Sequence, residues 1–163
     1  MCLSIKVRNP ACLLSEGSHA GHEMVTVHNT MGYRYGYVKV EPGHPWHGKN
    51  YNDIEATVHG GLTFAEPDLE CGNGGEDNGW WVGFDCAHYG DAPDPELPSY
   101  EDPLRALSLN MLSAFFDCGG EGYQIRTQEY VEAQCRDLCE QAANATNDTY
   151  NQRNKSQASP DNH

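Results

Sequence analysis

Histidine, carboxylate and glycine residues gather in three short blocks of this chain. They are Gly43-His44-Pro45-Trp46-His47-Gly48, Thr57-Val58-His59-Gly60-Gly61-Leu62-Thr63, and a longer run from Trp80 to Asp91 that contains Asp85, His88 and Gly90. Imidazole exchanges protons near neutrality, carboxylate accepts hydrogen bonds or ligates cations, and glycine lets backbone approach a bound group. A ligand pocket or an acid–base site needs that mixture. The residues that could form it are His44, Tyr51, Asp53, His59, Gly60, Gly61, Thr63, Asp85, His88 and Asp91.

Three chemistries are open to them. His44 and His47 flank Pro45-Trp46 on a loop, where rings could stack on a base and touch a phosphate. Asp85-x-x-His88-x-x-Asp91 carries ligand types for zinc, manganese or iron, with His59 as a further donor. On a helix the three would share a face, but Gly90 and the Pro93/Pro95 run place them at a strand end and loop, where that spacing fixes no geometry. The bland reading is that Asp85 hydrogen-bonds loop amides and His88 caps the strand. No Gly-x-x-x-x-Gly-Lys loop, His-Glu-x-x-His pair or nucleophile elbow is present, and no motif names a cofactor. The leading expectation is a pocket for a small polar ligand, a nucleotide or nucleotide-derived signal. A metal-assisted or His-Asp acid–base enzyme acting on a nucleotide or sugar-phosphate is the alternative.

The elements that must position these groups read as one small α+β domain over residues 24–143. Met24 to His28 and Tyr33 to Val40 alternate as strands around Asn29-Thr30-Met31-Gly32, a hairpin signal. Pro42 and Pro45 end the second strand. Ile54 to Phe64 reads as a third strand with a bulge at Gly60-Gly61, and Glu66 to Asn78 as a glycine-rich loop. Trp80 to Ala87 reads as a buried strand, with Trp80, Val82, Phe84 and Cys86 on its core face and Asp85 on the other. A short helix is predicted over Leu104 to Phe116. A longer one starts at the N-cap Thr127 and repeats Val131, Cys135, Leu138 and Ala142 at helical spacing to about residue 142. The sheet is expected to be mostly antiparallel and packed by that last helix. Residues 1–23 read as an irregular lead-in and residues 144–163 as a disordered, dispensable tail.

A length of 163 residues suits one domain. The formal net charge of -14 repels a phosphate backbone, so general nucleic-acid binding is not expected. The acidity keeps the chain in solution, or else imitates nucleic acid to occupy a basic site on a host protein. Seven cysteines form no Cys-x-x-Cys pair and are odd in number, so they read as reduced thiols in a cytoplasmic protein. No apolar run is long enough to cross a membrane.

The blocks Gly36-Tyr37-Val38, His44-Pro45, Gly48, Tyr51-x-Asp53, Val58-His59-Gly60-Gly61-Leu62-Thr63 and Trp80-Trp81-x-Gly83-Phe84-Asp85-Cys86-Ala87-His88-x-Gly90-Asp91, with the later Arg126-x-x-x-Tyr130-Val131, resemble a family of small, uncharacterised proteins encoded by bacteriophages and prophages. The resemblance spans residues 36–91 and the last helix. It implies a viral or prophage origin and no particular chemistry. Accessory proteins of that class often act on host defence, including by sequestering nucleotide signals, and that is the anti-defence role expected here.

Overall fold

In the computed structural model, residues 12–69, 77–97 and 122–157 are described. A five-stranded antiparallel sheet carries one long helix on one face. The strands are β1 (Leu13–His19), β2 (His22–His28), β3 (Arg34–Val40), β4 (Phe64–Leu69) and β5 (Asp77–Asp85), in the order β1-β2-β3-β5-β4. Two short strands, β6 (Asp91–Ala92) and β7 (Gln124–Ile125), pair in parallel beside the sheet. The helix α1 spans Gln128–Gln157. Among the described residues no helix is long and apolar enough to cross a membrane.

The register sorts side chains onto two faces. Met24, Val38, Val82 and Ala65 are successive partners across the sheet and point to the helix, as do Val40, Phe84 and Cys86. On α1, Val131, Cys135, Leu138, Cys139 and Ala142 recur at i, i+4, i+7, i+8 and i+11 and are fully buried against them. Thr127 caps the helix: its hydroxyl accepts from the Tyr130 amide at 3.2 Å. The opposite face buries Val25, Val27 and Trp81, with Tyr35, Tyr37 and Phe64 beside them. The two predicted faces of the Trp80 strand therefore hold, but both are covered.

Two glycines on paired central strands make the close contacts possible. A Cβ on Gly36 would stand 2.5 Å from Cys135 Sγ and 2.6 Å from the Phe84 ring. The Tyr37 ring lies over Gly83 in the same way, within 2.3 Å of where a Cβ would be. The helix can thus seat its cysteine against bare backbone on one side while an aromatic ring fills the space on the other.

Several expectations are corrected. The lead-in over residues 1–23 holds a strand, β1, joined to β2 by Ala20 and Gly21, both at positive φ (48° and 82°). These dihedrals belong to a tight hairpin turn, whose twist suits the flanking strands. Half-exposed on the sheet edge, β1 lacks the apolar alternation that would have marked it. The strand expected over 54–64 is not one; pairing begins only at Phe64, where β4 forms the other edge and tolerates Pro67 because an edge strand can lose a ladder donor. Part of the loop expected over Glu66 to Asn78 is accordingly strand. The helix does not stop near residue 142 but continues through the polar stretch to Gln157, well into the segment read as a disordered tail. The helix predicted over Leu104 to Phe116, and residues 158–163, lie outside the described residues.

Of the seven cysteines, the four described, Cys12, Cys86, Cys135 and Cys139, are free thiols. Burial pushes Cys86 and Cys139 up to about 12 and raises Cys135 as well, so the buried thiols stay protonated and behave as core groups.

Gly36→Ala is expected to destabilise the domain by about 1–3 kcal/mol through overpacking. Urea unfolding measures it, and adding Cys135→Ala should recover part of the loss, because the sulfur is the nearest obstacle.

Candidate functional site

The segment between β3 and β4 positions much of the site with no strand and one 3₁₀ turn, Tyr51–Asp53, of its own. It runs beside α1, burying Trp46, Ile54 and Val58 in the main core, and finds its backbone partners on helix side chains. Gln141 Oε1 accepts from the Thr57 amide and its Nε2 donates to the Thr57 carbonyl, both at 2.8 Å. Gln134 Oε1 accepts from the His59 amide at 2.8 Å. Side-chain amides thus take the place of a neighbouring strand, satisfying groups that would otherwise lack partners. Gly60 and Gly61 then turn the chain toward β4 at φ of 68° and 84°.

His59 meets Asp91 and Tyr130 at the end of this segment. Its Nε2 lies 2.7 Å from Asp91 Oδ2, and its Nδ1 lies 3.0 Å from the Tyr130 hydroxyl. Asp91 is almost wholly enclosed, its side chain 1% exposed. It also accepts from Arg126 Nε at 2.7 Å through Oδ1 and from the His88 amide at 3.0 Å through Oδ2. Burial alone would oppose its ionisation. The Arg126 and His59 hydrogen bonds and the His88 amide outweigh that cost and hold its carboxyl below the ordinary range. Asp91 in turn raises the Arg126 guanidinium. The parallel β6–β7 pairing, with Asp91 opposite Gln124, delivers Arg126 to this place, and the guanidinium lies 5.1 Å over the Tyr130 ring.

Asp85, His88 and Thr63 stand in front of this buried group. Asp85 accepts from the Thr63 hydroxyl at 2.9 Å and from the Ala87 amide at 3.1 Å. His88 Nε2 is 3.5 Å from Asp85 Oδ1, within ion-pair range but without a hydrogen bond. The His88 ring rests on Gly60, where a Cβ would come within 2.1 Å of Nε2, so that position must be glycine for shape as well as for φ. Beside Asp85 opens a hollow of about 280 Å³ bordered by Tyr35, Tyr37, Thr63 and Phe64. Burial first, and Asp85 in addition, raise the Tyr35 phenol despite its bond from Asn29.

The structure thus brings together His59, Gly60, Thr63, Asp85, His88 and Asp91, with Gly61 in the same turn. It separates the other three. His44 accepts from the Trp46 amide at Nδ1 (3.0 Å) and donates from Nε2 to the Ala142 carbonyl (2.9 Å), so its ring is a strut between loop and helix. Tyr51 and Asp53 form a single 3₁₀ turn, and Asp53 lines a different groove of about 590 Å³ with Trp46, Lys49 and Gln141. The metal set does not converge either. Asp91 turns inward to Arg126 and His59, away from Asp85, and among the described residues no three His, Cys, Asp or Glu side chains are placed to hold an ion. Arg126, Tyr130, Gln134 and the cavity tyrosines were not foreseen as site residues. The Arg126-x-x-x-Tyr130 spacing was the one available signal, since i,i+4 residues stand together across a helix start.

No protein-family model, curated protein or solved structure matches the chain.

Replacing Asp91 by Asn should cost about 3 kcal/mol at neutral pH, as expected for breaking a buried charge pair. A carboxyl whose folded value is depressed adds stability above its ordinary value, 3.8, and loses it as pH falls through the folded value. The gap between wild type and Asp91→Asn in chemical unfolding should therefore narrow with acidification over that range.

His44 generates a second pH dependence. Burial lowers it most, and His22 and His47 add to this against the Ala142 hydrogen bond, leaving it below its ordinary 6.5. Below that value the unfolded chain binds a proton that the folded ring resists, so stability falls as pH drops from 6.5 toward the folded value. His44→Gln should lose stability at about pH 7 but show a shallower decline in thermal midpoint between about pH 6.5 and 5.

Proposed function

We propose that this protein binds a small polar ligand of the nucleobase or nucleotide class at the Asp85 end of its sheet, without transforming it. One observation carries the reading: a carboxylate buttressed by Thr63 and the Ala87 amide stands at the edge of an open hollow of about 280 Å³ bordered by Tyr35, Tyr37 and Phe64. A flat ring can rest on an aromatic side chain, and a fixed carboxylate accepts hydrogen bonds from exocyclic or ring N–H groups. That volume lies at the small end of ligand sites, so it suits a single base with its sugar and phosphate outside. The net charge of -14 favours few phosphates over many. The buried Asp91 group supports the pocket from behind by fixing the His88 and Gly60 turns. Together with the resemblance to phage accessory proteins, this favours sequestration of a nucleotide-derived host-defence signal.

Calorimetric titration against nucleosides, nucleotides and cyclic dinucleotides tests it. At least one should bind and be recovered unchanged after heat denaturation, and Asp85→Asn should weaken it at least about tenfold, the size of one charged hydrogen bond. Folded protein that gives no heat with any member of the panel would overturn the proposal. Recovery of a changed molecule would assign the site to an enzyme instead.

A further inference from the structure

Tyr130, His59 and Asp91 form a continuous hydrogen-bonded chain. Asp91 is held ionised and can only accept, so His59 Nε2 carries a hydrogen and donates it across 2.7 Å. In the neutral ring Nδ1 then bears a lone pair, and the Tyr130 hydroxyl donates to it across 3.0 Å. The order is oxygen nucleophile, imidazole base, orienting carboxylate, with the base used through Nδ1. Each member is held from a second direction. Arg126 and the His88 amide fix the carboxylate, Gln134 holds the His59 backbone, and Thr127 caps the turn that carries Tyr130. The Arg126 guanidinium lies 5.1 Å over the Tyr130 ring and holds it by a cation–π contact.

We infer that Tyr130 is a base-activated phenol that accepts acyl groups from activated esters. The Tyr130 oxygen attacks the ester carbonyl carbon and its proton passes to His59 Nδ1. The resulting imidazolium is stabilised by Asp91 through Nε2–H. The tetrahedral intermediate then expels the alcohol or phenol oxygen, which takes the proton from Nδ1, leaving an O-acyl tyrosine. This activity does not depend on the Asp85 cavity or on what binds there.

Tyr89 supplies an internal control, because its side chain is 95% exposed whereas Tyr130 is half-buried. The full chain is treated with p-nitrophenyl acetate, and acetylation of each tyrosine is followed by peptide mass spectrometry. In native protein Tyr130 should be acetylated at least about tenfold faster than Tyr89, a modest share of what general-base assistance can give. In concentrated guanidinium the two should react alike. His59→Gln should bring Tyr130 to the Tyr89 rate or below while leaving Tyr89 unchanged. Native Tyr130 reacting no faster than Tyr89 would overturn the inference and make the chain a purely structural one. That comparison needs no variant, so it stands even if His59→Gln fails to fold. An unaltered fast rate in a folded His59→Gln would also overturn it.

Discussion

A carboxylate taken out of water must be given donors, and Asp91 draws its own from three separate stretches of chain. Arg126 arrives from the strand before the helix, His59 from the long β3–β4 connection, and the His88 amide from the turn after β5. None of these segments has extensive regular pairing at that point. The shared carboxylate therefore does what a sheet ladder does elsewhere: it makes their positions interdependent. Through His59 the same network reaches Tyr130 and the first turn of α1. His88, whose amide this carboxylate holds, brings its ring to 3.5 Å from Asp85 at the pocket's edge.

The few cations in the chain are used with the same economy. Arg34 is buried against Asp94 at 2.7 Å and donates to the Arg126 carbonyl, tying β3 to the turn after β6 and to the strand leading into the helix. Lys39 lies between Glu23 and Asp68 on the sheet face away from α1. Three of the ten basic residues are thus paired with carboxylates, and the acidic excess of the chain rests on its other groups. A field of that sign favours ligands with few negative charges and keeps polyanions away.

Helix α1 serves two masters along its length. One stripe, Val131 to Ala142, packs on the sheet; the neighbouring one presents Tyr130, Gln134 and Gln141 to the irregular connection. The glutamines hydrogen-bond backbone groups that no strand reaches. Loop, helix and site are consequently one cooperative unit.

Periodicity made the central hairpin, the Trp80 strand and the buried stripe of α1 legible in the sequence, since each buries one face with a regular repeat. The clustering of His59, Gly60, Thr63, Asp85, His88 and Asp91 was legible too, because chemistry-bearing residues were dense there. What the sequence could not disclose was direction. Asp85 and Asp91 are alike in type and six positions apart, yet one faces the aromatic cavity and the other is enclosed with Arg126, a difference set by the β6–β7 pairing and the chain reversal at Gly90. His44 resembled His59 in the sequence and became a strut because the Ala142 carbonyl lies across from it. The edge strand β1 had no pattern to read, because half-exposed edges bury too little to show alternation; the segment before β4 alternates as a strand does, yet glutamine side chains of the helix replace its strand partner. Local composition therefore determined where the reactive groups lie along the chain, and long-range pairing decided which of them meet, because hydrogen bonds and proton transfer act over about 3 Å and only the folded chain sets such distances.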